Sequence, residues 1–465
     1  MKMEKVVVHV GYPLWRKNML VALARAKELQ DEGNEVTVTY CAAEGGSCVC
    51  NQSGSSIVCR LCRSWVEETA SGMQLHTIGL AGAASKNPSA DAPLSTADVP
   101  LSQRKELVEG VLSGLISTFR ILPRDIKKIA SLQRIKRQIY GTALRLHADM
   151  FRLMSSISPD RFEVFNGRHA CSKSGLLVAK RLGIPFTTLE VNANKRPLVF
   201  PGHTPHDRHG VQARIRTLPV DLDLATQFYD GRRRPRLNRF ASSQSDSFEM
   251  PSREGYTRLV SVFLSSQDEF ESLGKSWKSP FPPDYQVMRE TCERFPETLF
   301  LIRFHPNQAG IKSDIRSGFD PVEQLPNVRV FGPTDVANTY EMIDQSDVIV
   351  AFNSTVGVEA CWAGKPSIML GPSFYDALGV AYTPPNVDEF WRLLEQDQLE
   401  PKDRSGAAQL AYYVLRDGDE MKYIHIEAGK LTPRGITRRH LWKAVTARNI
   451  DTVCKEVLKK FVRAA

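Results

Sequence analysis

Apolar and polar stretches alternate along the chain as strands followed by helices. An apolar run at 6–10 gives way to a short loop at 11–15, then to a stretch at 19–30 whose apolar residues recur at helical spacing. Glu32, Gly33 and Asn34 stop that stretch, and 35–40 reads as a second strand. The same unit recurs as a strand at 162–165, a helix at 176–182 and a strand at 185–190. A second series follows, with strands at 258–264, 298–304, 328–331, 347–352 and 366–370 and helical patterns at 285–295, 339–345 and 356–363. Strand–helix alternation of this kind predicts parallel sheets covered by helices.

Two stretches lack the alternation. Residues 70–100 are rich in Ala, Ser and Gly without periodicity and read as a surface excursion, after which 106–154 is helical in pattern and basic from Arg124 to Arg137. Residues 201–251 are polar and aperiodic, so the connection between domains is expected there. A chain of 465 residues is longer than one hydrophobic core usually organises. The expected fold class is therefore α/β, with two facing Rossmann-like domains at 1–240 and 256–415 and a cleft between them.

Composition narrows the class. With 42% hydrophobic and 24% charged residues the chain is an ordinary globular protein. No apolar run approaches the roughly 20 residues that span a bilayer, and the first ten residues lack the apolar core of a signal peptide, so a cytoplasmic location is expected. Nine cysteines then imply reduced thiols rather than a disulfide scaffold. Four of them, Cys48, Cys50, Cys59 and Cys62, cluster with Cys41 nearby and offer thiolates for a structural zinc site. The Cys59–Cys62 spacing suits such a site; the Cys48–Cys50 spacing is tighter than zinc ribbons use, and plain reduced thiols are the alternative.

The net charge of +9 is unevenly spread. Residues 431–465 carry nine Lys or Arg against Asp451 and Glu456, a balance of +7, and Arg232, Arg233, Arg234, Arg236 and Arg239 form a second basic run. Nucleic acid, anionic lipid or a phosphorylated substrate would suit such patches. The chain holds no recognisable nucleic-acid module, so no nucleic-acid partner is expected.

In open parallel sheets ligands gather beyond the carboxyl ends of the strands. Three strand ends in the second half carry polar groups: Ser265 and Ser266; His305, Pro306 and Asn307; Asn353, Ser354 and Thr355. Ser354 and Thr355 open a predicted helix, where free backbone amides favour a phosphate, although Asn353 or Ser354 would serve equally as a helix cap. His305 is suited to donating to a phosphate oxygen or protonating a leaving group. In the first half Glu190 ends a strand and is suited to taking a proton from a hydroxyl, with Asn166 and Arg168 after the preceding strand. The nearest Asp-x-Asp pair, Asp221 and Asp223, sits in the polar connector, so metal-independent chemistry with no required cofactor is expected.

The string at 344–366, preceded by Arg303-Phe304-His305-Pro306, resembles the donor half of GT-B glycosyltransferases, in particular the bacterial capsule and lipopolysaccharide enzymes of the Kdo-transferring and polysialic-acid-forming groups. The resemblance covers 258–379 well and the first half in outline. It implies that His305, Pro306, Ser265, Ser266, Asn353, Ser354 and Thr355 bind the phosphate region of a nucleotide-sugar donor, CMP-linked and carrying Kdo as the leading reading. Glu359 resembles the acid that holds the donor ribose, Glu190 the catalytic carboxylate, and Asn166 and Arg168 acceptor-side residues. A glycan or lipid-linked glycan acceptor is implied.

Teichoic-acid-type alditol-phosphate transferases share the His-Pro and Ser-Thr motifs, and a non-catalytic assembly protein would keep the fold alone. The resemblance also implies that 416–465 packs back on the first domain. Trp442, Val445, Ile450, Val453, Val457, Leu458 and Phe461 recur there near helical spacing, so the apolar face is expected to be buried and the basic face to meet an anionic inner-membrane surface.

Overall fold

The computed structural model describes residues 3–81, 99–234, 244–309, 314–427, 430–433 and 441–464. Arg236, Arg239, Arg434, Arg438 and Arg439 lie outside the described residues, as do the side chains of Trp442, Lys443, Leu458, Phe461 and Arg463. The chain divides into two units, Met1–Asp207 with Gly418–Ala465, and Arg208–Asp417.

The first unit is built on six strands: β1 (Lys5–Val10), β2 (Glu35–Cys41), β3 (His76–Leu80), β4 (Arg161–Phe165), β5 (Phe186–Val191) and β6 (Pro197–Pro201). They lie in the order β3-β2-β1-β4-β5-β6, parallel except for β6, which runs antiparallel to β5. Because successive side chains point to opposite faces, Val6, Val8 and Val10 pack with Met19, Leu20 and Leu23 of the helix Arg16–Asp31. Val7 packs on the other face with Phe162, Val164 and the helix residues Leu146 and Met150. A strand buried on both faces must be apolar throughout, and each such side chain contributes about 1.5–3 kcal/mol relative to exposure. The helix Ala170–Leu182 ends at Gly183, whose φ of +68° is the left-handed value that closes a helix.

The second unit holds β7 (Arg258–Phe263), β8 (Thr298–Arg303), β9 (Val328–Phe331), β10 (Val348–Ala351) and β11 (Ser367–Met369), all parallel, in the order β11-β10-β7-β8-β9. Val260, Phe300, Ile302 and Val350 face one core; Leu259, Leu299, Leu301 and Ile349 face the other. In both sheets the strand order reverses beside the first strand, between β1 and β4 and between β7 and β10. Crevices open at such reversals, outside the carboxyl ends of the strands.

Three expectations need correction. The excursion expected at 70–100 contains β3 and the end of the helix Ser56–Gly72; 82–98 lie outside the described residues. The boundary expected after 240 falls at 207, because the helices Arg208–Arg216 and Leu222–Arg233 of the supposed connector pack on Ser405–Leu415. The apolar face of the tail is split. The helix Leu441–Ala464 packs on Ser56–Gly72 and buries Ala447 and Asp451, whereas Val445, Val453 and Val457 are 54%, 64% and 49% exposed. Ahead of that helix, β12 (Ile424–Glu427) and β13 (Lys430–Pro433) form an antiparallel hairpin against Arg16–Asp31.

No helix among the described residues is long and apolar enough to cross a membrane.

Candidate active site

In the second unit the ends of β7, β8 and β10 surround a cavity of about 100 Å³. His305, Pro306, Ser354, Thr355 and Glu359 line it together, and so do Arg232, Arg303 and Tyr340. His305 begins a short turn in which its Nδ1 accepts the backbone N–H of Asn307 at 3.1 Å. A neutral imidazole accepting at Nδ1 carries its proton on Nε2, the donor form suited to an oxyanion. Arg303 ends β8, is 4% exposed, and donates to Thr339 Oγ1. Burial lowers its pKa to about 10, still far above neutrality, so it stays a cation inside the cavity wall.

Ser354 and Thr355 stand before the helix Val356–Trp362, where Thr355, at the cap position, makes no side-chain capping bond. Asn353 does not serve as the cap: its Nδ2 donates to the Pro372 carbonyl at 2.6 Å, and its φ of +56° turns the chain sharply off β10. Ser354 Oγ reaches the Val356 N–H only at 3.4 Å. Glu359 lies buried, its Oε1 accepting from Arg232 at 2.7 and 3.0 Å and from Thr355 Oγ1 at 3.2 Å, its Oε2 accepting from Tyr340 at 2.8 Å. These partners occupy the carboxylate that the resemblance assigned to a ribose, and they make Glu359 the brace of the cavity.

Two members of the basic run are likewise spent within the fold, Arg232 on Glu359 and Arg233 on Asp344 at 2.8 and 2.9 Å. Ser265 and Asn353 line a neighbouring cavity of about 220 Å³ with Phe270, Trp277 and Asp284, whose carboxyl burial raises to about 7. Ser266 turns away from both cavities to donate to Asp268 at 2.5 Å. Asp221 caps the helix Leu222–Arg233 by accepting the Leu224 N–H at 2.9 Å.

In the first unit Asn166, Arg168 and Glu190 lie together at the carboxyl ends of β4 and β5. Asn166 Nδ2 donates to Glu190 Oε2 at 2.7 Å, and Lys17 Nζ lies 3.4 Å from Oε1. Asn166, with φ of +67°, accepts at Oδ1 from the Arg168 N–H at 3.2 Å and sits 3.3 Å from His206 Nε2. Burial lowers the Arg168 pKa while the Glu190 charge raises it. His169 packs edge-on against Tyr12 and Trp15 behind this group. Lys17, His206 and Tyr340 carried no sequence signal for a site, and Arg232 was marked only as part of a basic run; each arrives by tertiary placement.

The zinc expectation finds no set of ligands. Among the described residues no group of three or more His, Cys, Asp or Glu is placed to hold a metal ion. Cys59 Sγ accepts from Asn51 Nδ2 at 3.1 Å and donates to the Gly46 carbonyl at 3.5 Å. Cys48 meets the thiols of Cys50 and Cys171, which hold its pKa well below the ordinary thiol value. Burial pushes the pKa of Cys50 and of Cys62 up.

With this geometry in place, comparison with known proteins is informative for the second unit. Residues 276–414 match the model of the family described as Capsule polysaccharide biosynthesis protein. The matched segment contains His305, Ser354, Thr355 and Glu359, and the resemblance to capsule enzymes read from 303–306 and 344–366 is borne out there. Protein FixF of Sinorhizobium fredii (strain NBRC 101917 / NGR234) is 31% identical over 114 residues, 24% of this chain and 26% of the relative. The chain thus spans about a quarter of that relative's length. Among solved structures, Thermosulfurimonas dismutans KpsC, beta Kdo 2,4 transferase, matches with a TM-score of 0.36 and 13% identity over 55% of this chain and 79% of that one. The UDP-GlcNAc 2-epimerase of Neisseria meningitidis bound to UDP-GlcNAc matches with a TM-score of 0.29 and 11% identity over 88% and 99%.

Proposed function

We propose that the protein is a glycosyltransferase of capsule-type polysaccharide synthesis, moving a sugar from a nucleotide-activated donor to a growing glycan. The observation that carries this reading is the convergence of His305, Arg303, Ser354 and Thr355 on one cavity at the β7–β10 reversal, inside the capsule-biosynthesis segment. A phosphate there would take hydrogen bonds from His305 Nε2 and the Ser354 and Thr355 hydroxyls, with the Arg303 cation beside it. These groups would also offset the charge that grows on the departing nucleotide, so the reading routes no step through a metal. Glu190, held by Asn166 and Lys17, would take the proton from the attacking acceptor hydroxyl. The donor is read as CMP-linked, with Kdo as its sugar, and the acceptor as a glycan or lipid-linked glycan.

A thermal-shift series with CMP, CDP, UDP and GDP tests the donor, because a ligand that binds only the folded state raises its stability. CMP should give the largest shift, and no shift with any nucleotide would overturn the reading. Product analysis with CMP- and CDP-linked donors then separates glycosyl transfer from alditol-phosphate transfer, in which the product keeps a phosphate.

A further inference from the structure

We propose that the cavity of about 220 Å³ beside the His305 site binds a single sugar ring. The assignment rests on what lines that cavity and does not require the transfer reading. Three elements of the second unit bring polar groups to it: Ser265 just beyond β7, Asn353 just beyond β10, and Asp284 at the start of the helix Asp284–Arg294.

None of the three groups is used up by the fold. Ser265 is 8% exposed, and its hydroxyl makes no hydrogen bond among the described residues; its backbone carbonyl alone is engaged, accepting from Gln308 Nε2 at 2.6 Å. Asn353 gives its Nδ2 to the Pro372 carbonyl, and its Oδ1 takes no donor among the described residues. Asp284 meets only its own backbone N–H, burial raises its carboxyl to about 7, and no cation among the described residues pairs with it. Polar groups set this deep are normally satisfied, so three unmet ones on a single cavity point to a partner from outside the chain.

That partner must donate. A carboxylate and an amide oxygen only accept, and a hydroxyl accepts as readily as it donates, so an anionic group is disfavoured among them. The remaining walls are aromatic. Phe270 and Phe281 are half-buried, and Trp277 is wedged between Phe270 and Phe374 with ring centroids 5.9 and 4.6 Å away. Apolar walls with a few convergent polar groups make a small-molecule pocket, and this volume falls below the roughly 300–1,000 Å³ of drug-sized sites. A pyranose meets both demands, with C–H groups on its face for the rings and hydroxyls around its edge for the acceptors. A nucleobase offers donors along one edge, whereas these acceptors come from three elements. Ser265 and Asn353 adjoin Leu264 and Ser354 of the His305 cavity, so the ring belongs either to the donor or to the end of the glycan.

Saturation-transfer NMR on the full chain with free Kdo, glucose, N-acetylglucosamine and N-acetylneuraminic acid tests this. At least one sugar should receive saturation at its ring C–H protons, bind about tenfold more weakly to Asp284→Ala and Ser265→Ala, and bind unchanged to His305→Ala. Ser265→Ala removes a hydroxyl that holds nothing in the fold, so its effect is not one of unfolding. Displacement of the sugar by CMP-linked Kdo but not by CMP assigns the ring to the donor; retention against both assigns it to the glycan. Saturation of none of the sugars, wild-type binding by both cavity variants, or displacement by CMP alone would overturn the inference. Sugar binding without any nucleotide binding would leave it standing and overturn the transfer reading instead.

Discussion

Asn166 Nδ2 donates to Glu190 Oε2 at 2.7 Å, so the carboxylate at the end of β5 is aimed by a residue at the end of β4. Lys17 reaches the other oxygen from the first helix. Replacing Glu190 with Gln keeps the side chain's shape and an acceptor for the Asn166 amide but removes the capacity to take a proton that the proposed role requires. Nucleotide affinity is expected to stay unchanged while transfer falls by about 10²–10⁴-fold. Undiminished transfer would assign Glu190 to structure alone.

His305→Ala removes the Nε2 donor from the second unit's cavity without emptying a core position, since the ring is only half-buried. Turnover should fall by roughly 10²–10³, the scale for losing one donor to a developing oxyanion, with the melting temperature unchanged. Steady-state kinetics beside a melting curve decides it, and wild-type turnover would remove His305 from the site.

Glu359→Ala should act on stability first. The substitution strips Arg232, Tyr340 and Thr355 of their shared acceptor in a buried setting, and leaving such groups unmet costs roughly 1–3 kcal/mol. Urea unfolding is expected to show a lower midpoint at constant slope. An unchanged midpoint would mean that water replaces the carboxylate.

Acid should weaken the first unit through His147. Its Nε2 donates to Gln103 Oε1 at 2.9 Å, and burial with Arg181 nearby lowers its pKa to about 4. The unfolded imidazole takes up its proton near 6.5, so the contribution is whole above that pH and is lost as pH falls towards 4. His9 shares the lowered value of about 4. Urea midpoints should therefore drop between pH 6.5 and 4, and less steeply in His147→Gln; equal slopes would exclude His147 as a source.

The carboxyl-terminal helix exposes Val445, Val453 and Val457 at intervals that fall on one side, with Arg448 and Lys460 also exposed. Binding to liposomes is expected to rise with anionic lipid and fall with salt, because exposed charges are screened over about 8 Å at physiological ionic strength. Equal sedimentation with neutral and anionic vesicles would defeat this.

Most sheet strands were legible because buried parallel strands leave continuous apolar runs such as 6–10 and 298–304. β3 was not, since His76–Leu80 is a sheet edge and only Leu80 is fully buried. The helices Arg208–Arg216 and Leu222–Arg233 bury just three residues each, Val211, Gln212 and Ile215 in one and Leu224, Ala225 and Tyr229 in the other, too few to set a period. Strand ends pointed to His305 and Ser354 in one unit and to Glu190 in the other, because within each sheet the topology gathers the carboxyl ends of neighbouring strands. Arg232 and Lys17 lie on helices, and nothing in their own neighbourhoods says which carboxylate they will meet.

Gly418, with φ of +106°, passes so close to β6 that a side-chain carbon there would stand 2.4 Å from the Pro197 carbonyl oxygen, and Arg196 grips the Gly418 carbonyl at 2.9 and 3.0 Å. The segment beginning there completes the first unit, yet the ribosome makes it only after all of Arg208–Asp417. During synthesis the later unit can thus finish folding before the earlier one, which must wait with the apolar side of its first helix uncovered until Met421, Ile424 and Leu431 emerge to cover it.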